Sequence, residues 1–280
     1  EPFCQSDAER ESPRCEESGS RQLCRHGQRR QPDCADRWDV PLLEFPGTVK
    51  QLRTGVAHHM GDDTLHIHIT NDPMYMENGY TVYLREGGPC WIIDPGLPPQ
   101  AKQIIRHVRQ HELTPAVIVL THAHADHIGG IDEVRDALGL IPVHLAKEEW
   151  AALTDPMENL SGLMGPGLVT RVHEPIDLPA DGTIELDGSR WRVLDTCGHS
   201  PGGRTLYCAD LKIAFVGDAL FAGSVGRVDF PNSNGPKLLR NIRKNLMALP
   251  DDTRVLSGHG PETTIGRERR TNPYVLHAHP

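Results

Sequence analysis

Residues 116–127 read AVIVLTHAHADH, so an apolar run of five residues passes at once into three histidines and one aspartate within seven. A short continuous apolar run marks a strand covered on both faces. The polar stretch at its end, 121–127, has two readings. One is a solvated loop. The other is a metal site: in an extended loop His122 and His124 project to the same side and can hold one ion. Asp126 and His127, at the start of a helix, can face a neighbouring ion. Four ligands from one loop would leave two ions under-coordinated, so the second reading requires further donors elsewhere in the chain.

The flanking pattern supplies a frame for them. Residues 64–70 alternate apolar and polar side chains, as a half-buried strand does. Residues 80–85 and 90–94 read as two strands across the turn Glu86-Gly87-Gly88-Pro89. The spacing of Ile104, Ile105 and Val108 predicts a helix over 99–111, and Ile128, Ile131, Val134 and Leu138 predict one helix over 126–138. A strand over 142–145 and a helix over 146–153 follow, then a loop rich in Gly, Pro and Met over 157–169. Residues 183–186 pair with 190–195 across Asp187-Gly188, and 204–208 pair with 212–216 across Ala209-Asp210. A helix over 236–249, a strand over 254–257 and a closing helix over 262–270 complete the chain. Two strand-rich halves, each with helices, imply an α/β fold: a four-layer αββα sandwich of two mixed sheets with the helices outside.

The further donors lie at other strand ends. His199 is in CGHSPG (197–202), in a turn between two strands. Asp218 ends the apolar strand FVGD (215–218), and His259 sits in LSGHG (256–260). Their flanking glycines let backbone approach where a side chain would block the site. A lone strand-end histidine is ordinarily a hydrogen-bonded polar residue, and a lone aspartate is often a helix cap. The conjunction decides for metal: five histidines and two aspartates at strand ends, in the order HxHxDH, H, D, H.

Bulk properties narrow the function. The chain has 280 residues with a net charge of -9, from 38 acidic against 29 basic residues. A surface built to grip phosphate backbone is usually basic, so no nucleic-acid partner is expected. No apolar run approaches a membrane span, and the polar, charged amino end reads as no leader peptide. The chain begins at Glu1, as a fragment or processed form would. Residues 1–45, rich in Glu, Arg, Ser and Gln, cannot bury enough apolar surface to order themselves and are expected to be a disordered tail; 46–280 are expected to be the folded domain. The seven cysteines are irregularly spaced. Cys4, Cys15, Cys24 and Cys34 form no CxxC pair, and Cys90, Cys197 and Cys208 lie in or beside apolar segments. That is the usage of a reducing cytoplasm rather than of a disulfide framework.

From about residue 65 to 275 the chain resembles the metallo-β-lactamase superfamily. The resemblance rests on Asp94 in IIDPG, on THAHADH, and on His199 in GHSPGG, Asp218 in GDALF and His259 in SGHG. GDALFAGSVGR (217–227) and TTIGRERRTNPY (263–274) make it most similar to the glyoxalase II branch and its short bacterial relatives. Asp218 stands where β-lactamases of this fold often carry Cys, which argues against an antibiotic-hydrolysing enzyme. The resemblance implies that His122, His124 and His199 hold a first metal and that Asp126, His127 and His259 hold a second. It implies that Asp218 bridges them and that Asp94 orients the histidine loop from behind. A mixed N/O donor set without thiolate suits two Zn²⁺ ions and tolerates Fe or Mn.

Two close divalent ions bring a water to a pKa of roughly 7, so hydroxide is available to attack an acyl carbon. Asp126 would accept a hydrogen bond from that metal-bound nucleophile and orient it. A thiolate, with a parent pKa of about 8.5, leaves without a strong general acid. That fits thioester hydrolysis, and the resemblance implies a small-molecule thioester substrate, S-D-lactoylglutathione or a related hydroxyacyl-glutathione. Arg227 stands where glyoxalase II carries a basic residue that contacts glutathione. Asp229 replaces the aromatic residue usual two positions later, and the chain ends soon after Tyr274, where glyoxalase II continues into a helical domain. Two alternatives share the motifs: a persulfide dioxygenase with one iron at residues matching His122, His199 and Asp218, and a lactonase or other ester hydrolase on the binuclear site. A binding protein that has lost turnover is the remaining class, and an intact ligand set speaks against it. His66 and His68 are expected to face solvent, while His58, His59, His107 and His111 lack partners at ligand spacing. His277 and His279 form an HxH on the last residues.

Overall fold

The computed structural model describes residues 64–163 and 165–277. The expected tail over 1–45 with its four cysteines, the His58-His59 pair and His279 lie outside the described residues.

The strands form two six-stranded sheets. The first runs in the order β1 (His66–Asn71), β2 (Asn78–Tyr83), β3 (Pro89–Ile93), β4 (Thr114–Val119), β5 (Val143–Leu145), β6 (Ile176–Asp177). Its first two pairings are antiparallel and the remaining three parallel. The second half supplies β7 (Thr183–Leu186), β8 (Ser189–Asp195), β9 (Arg204–Cys208) and β10 (Ile213–Gly217), then a two-stranded ribbon of β11 (Leu220–Phe221) and β12 (Ser224–Val225), then β13 (Arg254–Ser257) and β14 (Thr263–Thr264). The second sheet has the order β14-β13-β10-β9-β8-β7, with β10 and β13 parallel and the other pairs antiparallel.

Side-chain parity builds the layers from these strands. Successive residues of a strand point to opposite faces. In β3, Trp91 and Ile93 turn toward the second sheet, and Cys90 and Ile92 toward the outer helices. In β10, Ile213 and Phe215 face inward while Ala214 and Val216 face the opposite helical layer. Both faces of these mid-sheet strands are thus covered, which is why 116–120 and 213–217 read as unbroken apolar runs. Between the sheets the aromatic rings interlock, with Trp91 5.7 Å from Trp191 and Tyr80 5.0 Å from Phe215, centroid to centroid.

The first outer layer contains α1 (Gln100–Gln110), whose Ile104, Ile105 and Val108 pack on the sheet as their spacing predicts. The helix expected over 126–138 is two: α2 (Ala125–Ile128) and α3 (Ile131–Leu138), broken at Gly129-Gly130. The break serves a close approach, because a Cβ at Gly130 would stand 2.5 Å from the Pro95 carbonyl oxygen. Residues 147–153 form a 3-10 helix rather than an α-helix. The helix expected over 236–249 is α4 (Gly235–Asn241) running into a π turn over 242–246. Its first turn is capped by the Asn234 side chain, which accepts from Lys237 N at 2.9 Å. Two further helices, α5 (Ile265–Thr271) and α6 (Pro273–His277), close the chain.

The carboxyl ends of β3, β4, β10 and β13 meet at one edge of the sandwich. Ile93 is level with Val119 in the first sheet, and Gly217 with Ser257 in the second. The sheets are tied together there by backbone bonds from Arg204 N to Thr121 O (2.9 Å) and from Asn78 N to Gly258 O (2.7 Å). Open α/β sheets present their ligand crevices at such carboxyl ends.

Candidate metal centre

Every donor singled out from the sequence arrives at this edge. Thr121 follows β4, and its backbone N–H and hydroxyl donate to the two Asp94 oxygens at 2.8 and 2.6 Å. Asp94 is buried at the end of β3 with φ at 47°, a left-handed conformation that a non-glycine residue adopts at a cost. Its Oδ2 also lies 3.1 Å from His127 Nδ1, so one carboxylate holds both ends of the THAHADH turn. The expected positioning role of Asp94 thus has a concrete geometry.

Three imidazoles converge first. His124 Nδ1 lies 3.1 Å from His122 Nε2 and 2.9 Å from His199 Nε2. Their rings meet edge to face, at interplanar angles of 76–80°, which aims nitrogens rather than ring faces at a common point. The far side of His199 is fixed, with Nδ1 2.8 Å from the Arg227 carbonyl. Burial, and then the neighbouring imidazoles, hold the pKa values of His122 and His124 well below the usual range. Both are therefore neutral near pH 7, the state in which imidazole donates a lone pair.

The second group comprises Asp126, His127 and His259. His259 Nε2 lies 3.3 Å from Asp126 Oδ2, and its Nδ1 lies 3.0 Å from the Tyr75 carbonyl. Asp218 stands between the groups. Its Oδ1 is 3.5 Å from His127 Nε2, and its Oδ2 is 3.5 Å from both His199 Nε2 and His259 Nε2. Burial opposes charge on His127, but Asp218, Asp126 and Asp94 outweigh it and raise its pKa. The donor atoms of each triad lie within 4.8 Å of one another, as do those of His122, His127 and Asp218.

These residues fit metal ions. His127 Nε2 and Asp218 Oδ1 are buried without a hydrogen-bond partner, although they face each other. Two donors about 2.0–2.2 Å from one tetrahedral ion stand roughly 3.4 Å apart, close to the spacing found here. Backbone is kept out of the way by glycine: a Cβ at Gly258 would lie 2.2 Å from Asp218 Oδ1 and 2.7 Å from His127 Cε1.

Other residues of the site carried no signal in the sequence. Glu77 is fully buried, with Oε1 3.6 Å from His127 Nδ1 and Oε2 accepting from Gln100 Nε2 at 2.7 Å. Glu149 is buried and accepts from Ala123 N at 3.3 Å and Gly202 N at 2.7 Å, linking the HxH turn to the His199 turn. Burial raises the pKa of both carboxyls. Arg227 reaches the rim, where its guanidinium forms a bidentate pair with Asp229 at 2.8 and 2.9 Å. The donors open onto a cleft of about 650 Å³.

Among the described residues the other histidines form no part of these groups. His68, expected to face solvent, stacks on His107 of α1, with ring centroids 3.8 Å apart and planes within 3°. His66 stays exposed and stacks on Tyr83 at 4.9 Å. Among the described residues no helix is long and apolar enough to cross a membrane.

Residues 75–259 match the family model described as the metallo-beta-lactamase superfamily. The probable metallo-hydrolase YqgX of Bacillus subtilis is 40% identical over 193 residues, 69% of this chain and 90% of its own length. Hydroxyacylglutathione hydrolase GloC of Haemophilus influenzae is 32% identical, over 66% of this chain and 86% of its own. Of solved structures, BLEG-1 B3 metallo-beta-lactamase superposes with a TM-score of 0.70 at 37% identity, covering 76% of this chain and 99% of that one. TTHA1623 in a di-iron-bound form gives a TM-score of 0.63 at 34% identity, covering 74% and 99%.

Proposed function

The chain belongs to the metallo-β-lactamase superfamily, and on that premise we propose that it is a binuclear thioesterase of glyoxalase II type. In this reading it cleaves S-(2-hydroxyacyl)glutathione to a 2-hydroxy acid and glutathione. The observation that carries it is the pair of triads joined by Asp218 and opening onto a cleft. GloC, whose name states this activity, is a relative at 32% identity.

These donors would hold two divalent ions, zinc first with iron or manganese on the same chemistry, which when bound would supply Lewis acidity and bring the pKa of water toward about 7. The protein's own residues do the rest. His122 and His124, kept neutral by burial, form one donor face together with His199, and His127 and His259 with Asp126 form the other. Asp218 spans the two. Asp126 lines the cleft and offers a carboxylate oxygen to orient an attacking water toward the acyl carbon. Asp94 holds the THAHADH turn in register. The leaving thiolate needs no acid from the protein at neutral pH. Cys90, Cys197 and Cys208 are free and buried, in keeping with a cytoplasmic setting.

The test is metal content of the purified chain, measured together with a panel of lactoylglutathione, glutathione persulfide, a lactone and a β-lactam. The expected result is two ions per chain and thioester cleavage. One iron per chain with oxygen uptake would establish the persulfide dioxygenase instead. Lactone or β-lactam opening without cleavage of lactoylglutathione would overturn the substrate assignment.

A further inference from the structure

The cleft has two unlike walls. One is the donor set. The other is apolar, formed by Leu97, Leu160, Leu163, Leu168, Phe221 and Phe230. The cleft encloses about 650 Å³. Cavities of roughly 300–1,000 Å³ enclose most of a drug-sized ligand.

The apolar wall is built rather than loose. Asn159 is fully buried, and its Nδ2 donates to Ala152 O at 2.7 Å and Leu168 O at 2.9 Å. Its Oδ1 accepts from the Ser161 hydroxyl at 2.6 Å, and that hydroxyl accepts from Leu168 N at 2.7 Å. The Asn159 carbonyl accepts from Ala125 N at 3.0 Å, which fastens this loop to the THAHADH turn. At the mouth Leu163 is 55% exposed and Met74 76% exposed. Apolar side chains gathered at the rim of a cleft mark a surface kept for an apolar ligand.

Charge is sparse in the cleft. Arg227 is the one Lys or Arg among the described residues that line it. Its Nε and Nη2 donate to Asp229, and its Cζ lies 4.5 Å from the centre of the Phe230 ring. An anionic peptide thiol therefore meets a cation already paired, beside a wall suited to hydrocarbon.

We infer that the acyl group taken by this cleft is an extended apolar chain, with or without a 2-hydroxyl, rather than a lactoyl group. The inference deepens the thioesterase reading and rests on it for the bond cleaved. Water forms the new C–O bond, the C–S bond breaks, the thiolate takes up the proton and no electrons are exchanged.

The experiment measures kcat/KM for S-acyl-glutathiones running from acetyl and lactoyl to octanoyl, and for 4-nitrophenyl esters of the same acids. Both series are run on the metal-loaded chain and on Leu163→Glu. Burial of each added methylene should raise kcat/KM by about two- to fourfold. Leu163→Glu should cut the octanoyl-to-acetyl ratio severalfold, and a ratio is insensitive to the amount of folded enzyme. A rise with chain length in the esters but no thioester cleavage would remove the thioesterase reading and uphold the apolar acyl site. A flat or falling dependence in both series, or no turnover in either, would overturn the inference.

Discussion

Two groups of histidines occupy this molecule, and they behave in opposite ways. His122, His124, His127, His199 and His259 stand at strand ends, mostly ring edge to ring face, with His122 and His127 tilted at 54° and Asp126 and Asp218 among them. His68, His107 and His111 lie between β1 and α1. His68 and His107 are stacked face to face, His107 and His111 have centroids 4.2 Å apart, and Glu86 is paired with His111. Stacked rings keep their nitrogens in parallel planes, so lone pairs do not converge. Among the described residues no triad of donors forms there. Histidine density alone therefore does not make a metal site. Convergent nitrogens with carboxylates between them give the geometry that could hold an ion.

The contrast can be broken most directly at His124. Replacement by alanine removes the nitrogen closest to both His122 and His199, and should cost at least one ion per chain and more than about 100-fold in kcat/KM. Full metal content by elemental analysis with full activity would show that the centre is elsewhere. Next in size is Asp94→Asn, which leaves the donors in place but weakens the bonds that orient the turn. Metal affinity by competition with a chelator should fall about 10- to 100-fold. Glu149→Ala touches no donor. It strands the Ala123 and Gly202 N–H groups, so denaturant unfolding should report a loss of about 1–3 kcal/mol, with metal stoichiometry retained.

The smallest effect belongs to the stacked group and appears only with pH. Burial, then the charges of His68 and His111, push the His107 pKa from 6.5 down to about 4. A folded pKa below the unfolded one means that the unfolded chain takes up the proton first. The stability associated with His107 is therefore present above pH 6.5 and is lost as pH falls toward about 4. His107→Gln should shrink the drop in melting temperature between pH 7 and pH 5 while leaving metal content unchanged. An undiminished drop would place the acid sensitivity outside the stack, and a lost ion would join the two groups.

Adjacent glutamates show where sequence reading runs out. Glu148 and Glu149 look alike in KEEW. In the fold Glu148 reaches out to Arg204 at 3.0 Å, whereas Glu149 is buried and holds two backbone N–H groups of different loops. Residues 147–153 wind as a 3-10 helix, so the helical period assumed from sequence gave no guide to which carboxylate faces inward. Glu77 was equally silent, because its partners Gln100 and His127 lie 23 and 50 residues away along the chain. The split at Gly129-Gly130 goes with the close approach of the 95–96 backbone and the Leu97 side chain to the two glycines.

The sequence by itself marked the longer strands, the two-sided burial of those in mid-sheet and the seven candidate donors. Those features depend on neighbours within a few residues, through side-chain parity and through donors placed at strand ends. Only the tertiary structure decided that His199 comes within 2.9 Å of His124 across 75 residues, that Asp218 stands between the two triads, and that an apolar cleft opens beside them. Those depend on how two sheets register against each other and on which loop carbonyls hold Asn159. Packing between distant segments sets both, and no local period records it.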